Sequence, residues 1–329
     1  MDLLSASPPS AVLLSLFVVG YLVLAGSDIG LGMLMPHVAR TPAERRRVAA
    51  AIAPYFLASE VWLVAALGVM AGLFPVLEHH VVGALWPVLV VLLAGWLFRD
   101  AGLWFRGQVD SARWRFACDT AIVTGSWTLA LCWGLVLAGL LGGGASLNPF
   151  TVLGAVAVVW LFALRGAAFG AERLVGPDDE SGAESADAAA RATRTLARVA
   201  LGTVAATAAV AAVAAAGTGS DGAGSGGSDG LVLTGPGIAV LLVTVLLAAL
   251  GATSGLSGPI LSRHTSALAI AVPGLLVALC AQLPVADMPG MTGVFVWSTL
   301  LPAVPVMLIG QVWLYRMTRR PAVPASFFA

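Results

Sequence analysis

Residues 26–47 read "GSDIGLGMLMPHVARTPAERRR". An apolar, glycine-rich run carries one aspartate, Asp28, and stops in a burst of arginines. The first half is too apolar for a loop, and Asp28 is too polar for lipid. The second half marks one side of a membrane, because arginines gather on the cytoplasmic flank of membrane helices.

The same pattern recurs outward from that stretch. Of 329 residues, 59% are hydrophobic and 10% charged, and the mean hydropathy is +0.94. A soluble chain of this length needs far more charge on its surface. Apolar runs of about 20 residues, enough to cross a bilayer, fall at 9–35, 49–76, 81–103, 117–141, 150–172, 195–216, 231–254, 267–284 and 292–316. The ten-residue alternation of a membrane β-barrel is not seen. The fold class expected is an all-α polytopic membrane protein of about nine helices.

Orientation follows from charge. All 17 basic residues are arginines. They follow the first span (Arg40, Arg45, Arg46, Arg47) and flank the 3–4 link (Arg99, Arg106, Arg113, Arg115). Others flank the 5–6 link (Arg165, Arg173, Arg191, Arg194, Arg198), and the rest follow spans 7 and 9 (Arg263, Arg316, Arg319, Arg320). Nine spans put every one on the same side, so the N-terminus is expected outside and the C-terminus in the cytoplasm. The opening "MDLLSASPPS" lacks the basic region of a signal peptide, so the first run is expected to stay as a helix. A net charge of zero gives no general affinity for nucleic acid.

The chain is expected to form one integral membrane domain over residues 1–329. It has a cytoplasmic polar link at 176–190 and an external glycine- and serine-rich loop at 217–230. The sixth helix is expected to begin within the polar link and project below the membrane. Cys118 and Cys132 stand 14 residues apart on one helix, about 21 Å, too far to bridge; with Cys280 they read as packing residues. Helices 1 and 7 each end with two glycines four apart (Gly26 and Gly30, Gly251 and Gly255). That spacing lets helices approach closely, and an internal duplication would account for it.

Asp28 lies about 12 Å inside the boundary if helix 1 leaves the membrane near Pro36. Glu60, in "APYFLASEVWLVAALG", lies about 18 Å beyond Val48 on the next, antiparallel helix. Isolated carboxylates at such depth cost a few kcal/mol at least, so both are expected to face protein or water and to suit a proton path. Holding a neighbouring helix or subunit is the plainer role for each. Asp100, Asp119 and Glu172 stand at helix ends near Arg99, Arg113, Arg115 and Arg173 and read as interfacial ion pairs. No histidine falls at a helix centre: His37 and His264 are at cytoplasmic edges, and His79 and His80 in an external turn. Since histidine is the common haem ligand, the chain is expected to bind no haem and no metal of its own. The ten tryptophans, spread over most helices, suit interfacial anchoring and offer surfaces for a quinone ring.

"GSDIGLGMLMP…RTPAERRRVAAAIAPYFLASEVWL" resembles the start of subunit II of the cytochrome bd quinol oxidases. "FRGQVDSARWRFACDTAIVTGSWTLALCWG" (105–134), "NPFTVLGAV" and "LLPAVPVMLIGQVWLYR" extend the resemblance in order along nearly the whole chain. The resemblance implies two four-helix bundles with a peripheral ninth helix, in a bacterial cytoplasmic membrane. It implies a partner, the haem-bearing subunit I, which carries haems b and d, oxidises quinol and reduces oxygen to water. This chain would then be its scaffold, with Asp28, Glu60 and Asp119 on a proton pathway from the cytoplasm. Membrane lipid, a structural quinone and a small single-helix accessory subunit would complete the set of partners. Gly26, Gly30, Gly32, Trp62, Arg99, Arg106, Gly107 and Trp114 would serve packing and the family motif.

The chain departs from the family pattern at three places. Ala25 stands where the family has an aspartate, and Phe56, Leu57, Ala58 and Ser59 where it has Trp-Asp-Gly-Asn. Trp104 stands where it has a glutamate. The family's usual proton route is thus missing a carboxyl in helix 2, although Glu60 is present. Two other readings stay open: a proton-coupled secondary transporter using the same acids, and a catalytically idle scaffold or assembly relative.

Overall fold

A computed structural model of the chain describes residues 8–143, 147–174, 180–217, 235–255, 259–284 and 290–318. Among these, all regular structure is helical. The nine helices are α1 (Pro8–Val38), α2 (Pro42–Leu73), α3 (Pro75–Phe105), α4 (Ala112–Leu141), α5 (Pro149–Arg173), α6 (Glu180–Gly217), α7 (Pro236–Gly255), α8 (Pro259–Cys280) and α9 (Gly290–Thr318). Each is long and apolar enough to cross a membrane. The glycine- and serine-rich loop beyond Gly217 and residues 176–179 of the polar link lie outside the described residues.

Proline begins many of these helices, because its missing N–H is one the first turn leaves unpaired anyway. At α2 the start is fixed twice over. The Thr41 side chain accepts from the Glu44 N–H at 3.2 Å, and the Glu44 carboxylate accepts from the Thr41 N–H at 3.1 Å, a reciprocal cap. Asn148 accepts from the Thr151 N–H at 2.8 Å and does the same for α5. Only Phe74 separates α2 from α3. Glu78, His79 and His80 therefore lie in the opening turns of α3, not in a turn between helices, because Pro75 has already started it. Likewise α1 runs through Pro36 to Val38. Helix α6, with 38 residues, is about 57 Å long, longer than the roughly 30 Å of a hydrocarbon core.

Helices α1–α4 form one ring of four and α5–α8 a second, each helix packing on its neighbours in the ring. The rings meet where α1 and α4 lie against α5 and α8. Helix α9 packs on α2 at the periphery, and none of its most apolar stretch is buried. In this arrangement α1 and α5 occupy corresponding places. The pairing of α1 with α7 that the glycine spacing invites is not what the fold displays.

The interface between the rings is built on glycine. A Cβ on Gly30 would collide with the Phe162 carbonyl oxygen and the Gly166 backbone, and one on Gly166 with the backbone of Gly30 and Leu31. A Cβ on Gly26 would reach the Arg165 side chain; within the first ring, one on Gly32 would reach the Ser126 hydroxyl. Gly251 and Gly255 have open space instead, so they do not serve close approach. Gly107 is not a packing residue either: it lies in the exposed turn between α3 and α4. Cys118, Cys132 and Cys280 are buried.

Candidate functional site: a line of acids in the first bundle

Asp28 is wholly buried, and its partner is Arg99 of α3. The guanidinium donates to the Asp28 carboxylate at 2.6 Å, with Arg99 itself 2% exposed. The Ile29 N–H donates to the other carboxylate oxygen at 2.9 Å, and the Ser59 hydroxyl lies 3.4 Å from the first. The Phe56 ring stands 5.9 Å from the guanidinium carbon. Trp104 meets Phe56 edge-on at 6.3 Å. Two positions where the sequence departs from the family pattern, Phe56 and Trp104, thus pack on one another beside the ion pair.

Glu60, one residue on from Ser59, faces α3. It accepts from the Trp96 indole N–H at 2.8 Å. Asp100 stands one turn beyond Trp96 on the same face of α3, with one carboxyl oxygen buried and without a hydrogen-bond partner. Tyr21 of α1 completes the cluster, receiving a hydrogen bond from the Trp133 indole at 3.3 Å.

Asp119, on α4, lies just beyond the C-terminal end of α3. It accepts from Arg106 Nε at 2.7 Å, with Arg45 of α2 at 3.6 Å. Arg106 and Asp119 are both buried. Between the two groups runs about 9 Å of α3, from Asp100 to Arg106. Toward the N-terminal half of α1 lies a partly open apolar cavity of about 260 Å³, whose walls include Leu14, Val18, Leu63, Leu92, Trp96 and Trp133.

The acids at the helix ends are ion-paired as expected, but with other partners. Neighbours along a helix point about 100° apart and cannot face each other. Glu172 is therefore held by Arg263 of α8 at 2.8 Å, not by Arg173, which donates to the Tyr55 hydroxyl. Arg115 pairs with Asp110 at 2.7 Å rather than with Asp119. Asp100 is the exception to interfacial pairing: Arg99 turns away from it to Asp28. Trp62 is buried, edge-on to Phe17 at 6.0 Å. The Trp114 indole donates to the Phe105 carbonyl at 2.7 Å, closing the C-terminal end of α3.

Sequence reasoning missed Arg99, Trp96 and Asp100 as parts of this cluster. A depth count was available. Arg99 stands six residues before the end of α3 at Phe105, about 9 Å inside, too deep to reach the surface without a partner. Among the described residues no three His, Cys, Asp or Glu side chains gather as a metal site.

The family model for cytochrome bd terminal oxidase subunit II matches residues 10–318. The chain belongs to that family. It is 29% identical over 182 residues to the cytochrome bd-I ubiquinol oxidase subunit 2 of Escherichia coli K12, covering 50% of this chain and 48% of the relative. It is 30% identical over 132 residues, 40% of this chain and 35% of the relative, to a probable cytochrome oxidase subunit 2 of Haemophilus influenzae. Against the cytochrome bd ubiquinol oxidase subunit 2 of Bacillus subtilis the identity is 26% over 178 residues, 50% and 53% of the two chains. These alignments span about half the length of the curated relatives or less. As a member of that family with nine apolar helices among the described residues, it is a multi-pass bacterial inner-membrane protein.

Proposed function

We propose that this chain is the haem-free second subunit of a bd-type quinol oxidase. In this reading it scaffolds the haem-bearing subunit I and conducts protons from the cytoplasm for quinol-driven reduction of oxygen to water. The observation that carries the reading is the line of acids, Asp28 and Asp119 buried and Glu60 half-buried, in a chain of this family. Asp119 lies at the cytoplasmic end, with Asp28 and Glu60 farther in. Buried intramembrane carboxyls are costly and mark proton or ion pathways. Asp119, held by Arg106 and by the partly exposed Arg45, receives protons from water. Asp28 keeps its charge matched by Arg99 and sets the field around Glu60, which carries the proton.

The N-terminus is outside and the C-terminus cytoplasmic in this reading. Haems b and d belong to subunit I; they supply the electron transfer and oxygen chemistry. A structural quinone would place its apolar tail in the cavity beside Trp96 and Trp133, whose lining fits a hydrocarbon chain. The exposed apolar flanks of α3 and α9 face lipid, subunit I or a small single-helix subunit.

Purification is the direct test. The chain alone is expected to show no Soret absorbance. Co-expressed with a haem-bearing subunit I, it is expected to co-purify with reduced haem d and haem b bands and quinol-driven oxygen consumption. Stoichiometric haem on the isolated chain would contradict the reading.

A further inference from the structure

We propose that the side chain of Ile122 is a dry layer that splits the line of acids into two polar compartments and sets the rate at which protons pass from Asp119 to the inner acids. The inference rests on the proton-delivery reading and adds two residues to it, Ile122 as the layer and Ser126 as the first group beyond it.

Asp119, Ile122 and Ser126 stand at i, i+3 and i+7 on α4, the spacing of one helix face, and all three are buried. Asp119 is held by Arg106 of α3 at 2.7 Å. Ser126 lies two turns farther along, about 10 Å, at the level of the Asp28–Arg99 pair. Two close approaches place it there. A Cβ on Gly32, one turn of α1 beyond Asp28, would collide with the Ser126 hydroxyl. A Cβ on Gly125, the residue before Ser126, would stand 2.8 Å from the Cβ of Arg99.

Ile122 fills the level between. A Cβ on Gly102 of α3 would meet its Cγ1 at 2.9 Å, and one on Gly32 of α1 its Cγ2 at 3.6 Å. The two branches of one side chain thus close the space from α3 to α1. On α2, between Arg45 and Ser59, the buried Val48, Ile52 and Phe56 are apolar as well. Hydrocarbon neither donates nor accepts a hydrogen bond, so a proton crosses this level only with water that squeezes past Ile122.

Beyond the layer, two polar atoms are buried with no hydrogen-bond partner among the described residues, Arg99 Nε and Ser126 Oγ. The guanidinium N–H only donates, whereas the hydroxyl both donates and accepts. Such groups are where proteins hold internal water, and they stand beside Asp28, to which Arg99 Nη2 is bound at 2.6 Å. Water that has passed Ile122 is caught there, takes a proton from the Asp119 side and releases one toward the inner acids. Asp119 is then reprotonated from outside the bundle.

Threonine and valine at position 122 separate the hydroxyl from the shape, since the two side chains are nearly isosteric. In the assembled oxidase, cryo-electron microscopy maps that show ordered water are expected to have none beside Ile122. With Ile122→Thr a water is expected between the introduced hydroxyl and Ser126. Proton uptake after oxygen is mixed with the reduced enzyme, followed with a pH-indicator dye, is expected to speed up by about threefold or more in Ile122→Thr. Ile122→Val is expected to stay near wild type, and adding Ser126→Ala to Ile122→Thr is expected to cancel the gain. An unbroken file of water past Ile122 in the wild type overturns the layer. Uptake no faster in Ile122→Thr than in wild type, or an equal gain in Ile122→Val, overturns its control of the rate. A gain that survives Ser126→Ala removes Ser126 from the route. Failure of the delivery reading appears separately, as unchanged proton uptake and oxygen consumption in Asp119→Asn, while the water maps still report on the layer.

Discussion

Arg99 decides what Asp28 can do. A guanidinium that is 2% exposed and a carboxylate that is fully buried neutralise each other at 2.6 Å. Removing one partner strands the other charge, at a cost of about 3–5 kcal/mol, whereas replacing both is far milder. From the sequence Asp28 reads as a lone acid on a proton path, for which Asp28→Asn would slow turnover and leave assembly intact. With Arg99 in place the same change is expected to lower the melting temperature and yield of the complex, because asparagine leaves the guanidinium uncompensated. Adding Arg99→Gln is expected to recover most of that loss while oxygen consumption stays slow. Thermal melts and turnover on the two single variants and the double separate these effects; a double variant as unstable as Asp28→Asn alone would refute the charge argument. The acids themselves were legible, since a polar residue in an apolar run announces itself. Their partners were not, because the contact joins residues 71 positions apart and depends on how α1 and α3 are rotated.

At the scale of elements, helix existence and order follow from apolar run length, and the ends follow from proline and capping residues. The differences lie at junctions. Phe74 alone separates α2 from α3, since Pro75 restarts the helix at once, and α6 begins inside a polar link because alanines and spaced charges support a helix outside lipid. Which glycines serve packing was not legible, for spacing alone does not say what lies opposite. Gly26 and Gly30 share their spacing with Gly251 and Gly255, yet only the first two meet another helix closely. Gly30→Ala or Gly166→Ala sets a methyl against backbone, which cannot yield as a side chain does. Either is expected to destabilise the detergent-solubilised protein by about 1–3 kcal/mol or more. Gly251→Ala meets nothing within 4 Å and is expected to be neutral or slightly stabilising, by up to about 1 kcal/mol through helix propensity. Melting curves of the three variants provide the comparison.

Across the whole molecule, the two rings and the peripheral α9 leave orientation to be fixed by charge. The arginines follow one side of the nine helices: Arg40, Arg45, Arg46 and Arg47 after α1, Arg106, Arg113 and Arg115 between α3 and α4, Arg263 in α8 and Arg316 near the end of α9. Reversing the chain would move all of these to the outer side, against the bias that orients membrane proteins. It would also turn Asp119 and Arg45 away from the cytoplasm and leave the line of acids opening toward the wrong proton reservoir. Orientation and proton delivery therefore stand or fall together, and one labelling experiment reaches both. The three native cysteines are buried, so a single cysteine introduced elsewhere reports with little background. A cysteine placed within 217–230 is expected to react with an impermeant maleimide in intact cells. One placed within 176–190 is expected to react only after the membrane is opened. The opposite pattern would invert the bundle and remove the basis for proton uptake at Asp119.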